Sequence, residues 1–239
     1  MHTEALASIR NELEAASEAE RREFAPRFFK AGRGEYGEGD RFYGTPVPAQ
    51  RKIARRWQRS LDLDDITTLM ESPMHEERFV ALVVMVYWYG RANSAEERAA
   101  LAEHYVSHFA GVNNWDLVDT SAPKILGPHV EEAGTELLYD WARSGTLWQQ
   151  RAAVLATAHF ISKDSFDHTL RLAKELLRHE HDLMHKAVGW MLREVGKRNE
   201  QALHAFLGSH CLEMPRTMLR YAVEKLPEAA RQRYMRGQV

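Results

Sequence analysis

Residues 151–156 read Arg-Ala-Ala-Val-Leu-Ala, and a related apolar stretch built on a valine returns four more times: ALVVM at 81–85, WDLVDT at 115–120, KAVGWM at 186–191 and RYAVEK at 220–225. The central residues, Val83, Val118, Val154, Val188 and Val223, stand 34 to 36 positions apart. A period in that range is the mark of a paired-helix solenoid, in which no pair can bury its apolar face alone and each stacks on its neighbours. The expected architecture is therefore all-α, with stacked antiparallel helix pairs and a concave face. The valine-centred helices are expected to share the wall of that face.

The rest of the chain agrees with helices. Apolar residues recur at helical spacing in Leu6, Ile9 and Leu13, in Phe79, Leu82, Val83 and Val86, and in Leu170, Ala173, Leu176 and Leu177. No segment alternates in the manner of a strand. Breaks are expected at Ser72-Pro73, Asn93-Ser94, Gly111, Gly127-Pro128, Ser144-Gly145, Lys163-Asp164, Met214-Pro215 and Leu226-Pro227. One long interruption, KAGRGEYGEGDRFYGTPVPAQR at 30–51, has the length and composition of a loop that either connects helices or contacts a ligand.

With 239 residues, 44% apolar and 28% charged, the chain can bury a large core, and a single domain over 1–239 is the simplest organisation. The lone Cys211 cannot close an internal disulfide. The opening residues are charged throughout, and the apolar run Phe79 to Tyr89 is shorter than the ~20 residues a membrane helix needs. A cytoplasmic, nucleoid-associated location is expected. A net charge of −2 means that binding to a polyanion would require basic residues gathered on one surface.

Candidate chemistry falls on the valine-centred helices. Trp115 and Asp119 are four residues apart, so on a helix they project about 40° from one another. Alone, such a tryptophan serves as readily in a core, and such an aspartate as a helix cap. The later repeats add Arg151 at the head of one helix, and Trp190 and Arg193 on another, with Lys197 a turn beyond. Indole faces attract cationic rings, while arginine and lysine suit phosphates. A purine alkylated on a ring nitrogen is cationic and already has a weakened bond to its sugar. An aromatic surface and a carboxylate would be sufficient help. No phosphate-binding glycine loop, zinc-protease motif or serine triad is visible, and the 12 histidines show no metal-ligand spacing, so neither metal nor cofactor is expected.

Phe28-Phe29-Lys30, GEYGEGDRFYG, Val47-Pro48, ESPMHEERFVAL, NNWDLVD, LWQQRAAVLA and HKAVGWMLREVGKRN, in that order, carry a resemblance that covers nearly the whole chain. The sequence resembles the bacterial HEAT-like repeat DNA alkylation repair proteins, the alkylpurine DNA glycosylase D family. The resemblance implies a HEAT-like fold and a monofunctional hydrolase. Such an enzyme excises positively charged lesions, 3-methyladenine and 7-methylguanine among them, from double-stranded DNA without drawing the base into a deep pocket, and it would act as a monomer. By motif match Asp119 would be the catalytic carboxylate, and Trp115 and Trp190 the lesion contacts. Arg151 would touch the DNA backbone, with Arg193 and Lys197 as further phosphate contacts. Phe28 and Pro46 stand where some members have tyrosine and glutamine, and no catalytic role is carried onto them. The competing class is a non-catalytic repeat scaffold for DNA structures or protein partners, which a concave face lined with acidic or apolar residues would favour.

Overall fold

The computed structural model describes residues 2–238. Among them all regular structure is helical, apart from an isolated bridge between Arg41 and Met74. The chain divides into two compact units, Met1–Ser121 and Ala122–Val239.

The first unit contains α1 (His2–Ala15), α2 (Ala19–Phe28), α3 (Val47–Trp57), α4 (Leu63–Met70), α5 (His75–Tyr89), α6 (Ala95–Ser107) and α7 (Trp115–Ser121). At its centre is α5, which packs against α1, α3, α4, α6 and α7. Its sequence explains the position: from Phe79 to Met85 every residue is buried, and a helix that is apolar all round has to be enclosed. Flanking helices begin on side-chain caps. Asp62 and Asp65 form a reciprocal capping box on α4, and Ser94 accepts from the Glu97 amide on α6.

The second unit contains α8 (Leu126–Ala133), α9 (Glu136–Ser144), α10 (Leu147–Ala156), α11 (Ala158–Ile161), α12 (Asp167–Glu175), α13 (Asp182–Arg198), α14 (Glu200–His210), α15 (Arg216–Ala222) and α16 (Glu228–Met235). Here α13 is central, packing on α10, α11, α12, α14 and α15. It approaches α15 closely at Gly189, where a Cβ atom would lie 2.4 Å from the Met218 carbonyl oxygen.

All five repeat valines are buried. Four lie within helices, α5, α7, α10 and α13, and Val223 caps the C-terminus of α15. Within each unit these helices are neighbours in space: α5 meets α7 in the first, and α13 meets both α10 and α15 in the second. Two boundaries differ from the sequence expectation. Residues 47–51 belong to α3 and not to the preceding loop, because Pro46 at the N-cap and Pro48 at the second helical position start the helix. Gly127-Pro128 lies in the first turn of α8. Gly111 falls in the expected break between α6 and α7, at the end of a short 3₁₀ turn, Phe109–Gly111.

A candidate active site on the first turn of α7

Asn114, fully buried, sets the start of α7. Its Oδ1 accepts from the Trp115 amide at 2.9 Å, and its Nδ2 donates to the Phe29 carbonyl at 3.0 Å. One side chain thus caps the helix and ties it to the chain just past α2. Beside it lies a cavity of about 390 Å³, lined by Phe24, Phe28, Phe29, Phe79, Trp115, Asp119 and Thr120 among others. Trp115 meets Phe28 edge-on and lies nearly parallel to Phe29, each at a centroid distance of 5.7 Å. Phe28 is 46% exposed and Phe24 57%, so the rim of this aromatic wall is open to solvent. Trp115 and Asp119 are both half-buried. The structure therefore brings these two together as lining residues of one pocket.

Beneath the rings lies a charged network that the sequence reading did not single out. His75, the first residue of α5, is buried and joins two carboxylates: Nδ1 is 3.1 Å from Asp40 Oδ2 and Nε2 is 2.9 Å from Asp116 Oδ2. Arg78 pairs with Asp40 at 2.7 Å and donates to the Ser72 carbonyl and to Asn113 Oδ1. Asn113 Nδ2 in turn donates to Asp40 Oδ1 at 2.8 Å. Burial opposes the charge on His75, but the adjacent Asp116 and Asp40 outweigh it and raise its pKa to about 9. Burial likewise opposes ionisation of Asp40, yet hydrogen bonds from His75 and Asn113 and the charge of Arg78 hold its carboxyl below the ordinary range. Phe29 lies over the imidazole with centroids 4.4 Å apart, so the network supports the pocket wall directly.

The next residue along, Glu76, gathers the end of the 30–46 loop. Its buried carboxylate accepts from the backbone amides of Tyr43, Gly44 and Thr45 at 3.1, 2.8 and 3.3 Å. Gly44 has φ +81°, and a Cβ there would meet the Arg22 backbone at 2.5 Å. The visible sequence signal for this arrangement was four consecutive ionisable residues, His75-Glu76-Glu77-Arg78, at the head of an otherwise apolar helix. All four are buried.

The other candidates belong to the second unit. Arg151 is 5% exposed and donates from Nη1 to the Leu183 carbonyl at 2.7 Å, linking α10 to α13. Trp190 is half-buried, and its indole N–H donates to Glu194 Oε1 at 3.0 Å. Lys197 reaches both oxygens of the same carboxylate at 2.8 and 2.9 Å, and Arg193 pairs with Glu224. Glu194 thus collects Trp190 and Lys197 on one face of α13. Among the described residues no group of three or more histidine, cysteine or acidic side chains could hold a metal, and no helix is long and apolar enough to cross a membrane.

Fold and pocket together define an all-helical protein with an aromatic, acid-bearing recess. A family profile described as DNA alkylation repair enzyme matches residues 9–226, and the chain belongs to that family. Among solved structures it is similar to a predicted DNA alkylation repair enzyme from Enterococcus faecalis. The TM-score is 0.68 at 18% identity, over 89% of this chain and 97% of the other, a likeness of fold. No curated protein matches the sequence.

Proposed function

We propose that this protein is a monofunctional DNA glycosylase that hydrolyses the N-glycosidic bond of positively charged alkylated purines in double-stranded DNA, the 3-methyladenine and 7-methylguanine class. The observation that carries the reading is the pairing of Trp115 and Asp119 on one helical face, both lining the same aromatic pocket. A cationic base is attracted to the faces of Trp115 and its neighbouring rings. As the bond to the sugar breaks, its electron pair neutralises the purine, so no acid is needed to assist departure. Positive charge passes to the sugar, where the Asp119 carboxylate stabilises the oxocarbenium-like state and accepts a proton from the water that adds to C1′. The exposed rim formed by Phe24 and Phe28 suits a base held against a wall and not drawn into a closed cavity.

On the second unit, Trp190 is the proposed second lesion contact; Arg151, nearly enclosed, would exchange the Leu183 carbonyl for a backbone phosphate nearby, and Arg193 and Lys197 would meet further phosphates. The last two would exchange their carboxylate partners, Glu224 and Glu194, for phosphate oxygens. We read the helix pairs of each unit as HEAT-like repeats, and the protein as acting as a monomer on chromosomal DNA in the cytoplasm. Incubation with a duplex containing 7-methylguanine should release the free base. Asp119→Asn should lose at least a hundredfold of that rate, a typical cost of removing transition-state charge stabilisation, and still bind the duplex. Equal rates for the two proteins would remove Asp119 from the mechanism, and no release by the wild type would refute the glycosylase reading.

A further inference from the structure

From Arg41 to Leu61 the chain contains six cations, Arg41, Arg51, Lys52, Arg55, Arg56 and Arg59, and no aspartate or glutamate, although acids outnumber bases 34 to 32 over the whole sequence. Five of the six lie on or just beyond α3. The buried side of that helix is Gln50, Ile53 and Ala54, so Arg51, Lys52, Arg55 and Arg56 are left on its exposed side. Arg56 is held by Glu12 at 2.8 Å. Arg51, Lys52, Arg55 and Arg59 make no ion pair among the described residues. Elsewhere exposed cations commonly have an acid at hand: Arg10 with Glu77, Lys163 with Glu131, Lys197 with Glu194 and Arg198 with Asp164. Arg51 also places its guanidinium 5.3 Å from the centre of the Phe79 ring, where it lines the same pocket as Trp115 and Asp119.

We infer that the exposed face of α3 is a binding surface for the phosphate backbone of duplex DNA, delivering the strand to the pocket that Arg51 borders. This rests on the reading of the protein as one that acts on DNA. Cations four residues apart on a helix repel one another, and on this face only Glu12, beside Arg56, offsets that repulsion among the described residues. A polyanion offsets the rest. Arg51 and Arg55 are separated by a rise of about 6 Å along the helix, and a DNA strand carries a phosphate about every 3.4 Å of its axis, so neighbouring phosphates fall within reach of both. Planar guanidinium groups bind phosphate oxygens in pairs. An anionic membrane is the poorer fit, since the apolar side of α3 is spent on the core and Val47 is the one large apolar side chain the helix exposes.

The test is the salt dependence of binding to an undamaged duplex, with the wild type compared with the Arg51→Gln/Lys52→Gln/Arg55→Gln triple variant. Each phosphate contact removed lowers the slope of log Kd against log salt by about 0.9. The triple variant should therefore lose two to three units of slope and at least tenfold in affinity at low salt, with unchanged circular dichroism and melting. Arg51→Lys/Arg55→Lys, which keeps the charges, should retain the slope. An unchanged slope in the folded triple variant overturns the inference, as does wild-type protein that binds anionic vesicles but no duplex. Base release is scored separately. Wild type that binds with full slope but frees no base refutes the glycosylase reading and leaves the surface standing. Release with an unchanged slope in the triple variant does the reverse.

Discussion

His75 is the residue on which the pocket's charge balance turns. Two carboxylates, Asp40 and Asp116, and two cations, His75 and Arg78, are gathered below the aromatic wall, and their charges cancel only while the imidazole is protonated. Because its folded pKa is raised to about 9, against an unfolded value of about 6.5, the stabilisation is complete below the unfolded value and is lost as pH rises through 9. At 1.36 kcal/mol per pKa unit the loss between pH 7 and pH 10 is about 2 to 3 kcal/mol. Asp40 acts at the other end of the scale: its carboxyl is held below the ordinary range, so its contribution is present at neutral pH and lost only in acid. Thermal melts should therefore show a wild-type Tm that falls across the alkaline range, while His75→Gln, less stable at pH 7, changes far less over the same interval. A wild-type Tm that stays flat from pH 7 to 10 would mean that the imidazole is neutral in the folded protein.

At the scale of the helix, periodicity was enough to find most elements, since apolar residues at every third or fourth place leave little choice but a helix with a buried face. The misplaced boundaries have one cause. Proline and glycine were read as breaks at 46–48 and 127–128, whereas proline in a first turn begins a helix, because its missing N–H would have had no partner there. The Trp115–Asp119 pair was legible because both residues sit on one short helix. His75 with Asp40 and Asp116 was not, since the partners are 35 and 41 residues distant and only the packing of α5 against α7 and the loop brings them together. Helix contact also decides the effect of Gly189→Ala. Alanine is the better helix former by ~1 kcal/mol, but its methyl group would stand 2.4 Å from the Met218 carbonyl and 2.6 Å from Tyr221 Cβ, and moving backbone is the costlier term. The variant should be destabilised by about 1 to 3 kcal/mol in urea unfolding; an increase in stability would show that α13 and α15 are not in such close contact.

Over the whole molecule, a net charge of −2 conceals an uneven distribution, and that distribution decides what the protein can hold. The acid-free segment 41–61 provides attraction for a polyanion, whereas the pocket beside it presents rings and the Asp119 carboxylate, which suit a cation. On the proposed reading, a ligand that combines the two characters, negative along its backbone and positive at one nucleotide, would be preferred, and the preference should be measurable without any bond being broken. A duplex bearing a protonated pyrrolidine in place of one sugar imitates the oxocarbenium-like state, and the same duplex bearing neutral tetrahydrofuran does not. If Asp119 acts on developing positive charge, the first should bind at least a hundredfold more tightly, in keeping with the gain of transition-state mimics. At ligand concentrations well above both Kd values this adds about 2.7 kcal/mol to the stabilisation seen in melting. Asp119→Asn should bind the two duplexes alike, while keeping the salt dependence that belongs to α3. Equal preference for the pyrrolidine duplex in wild type and Asp119→Asn would place the recognition of positive charge in the aromatic wall alone.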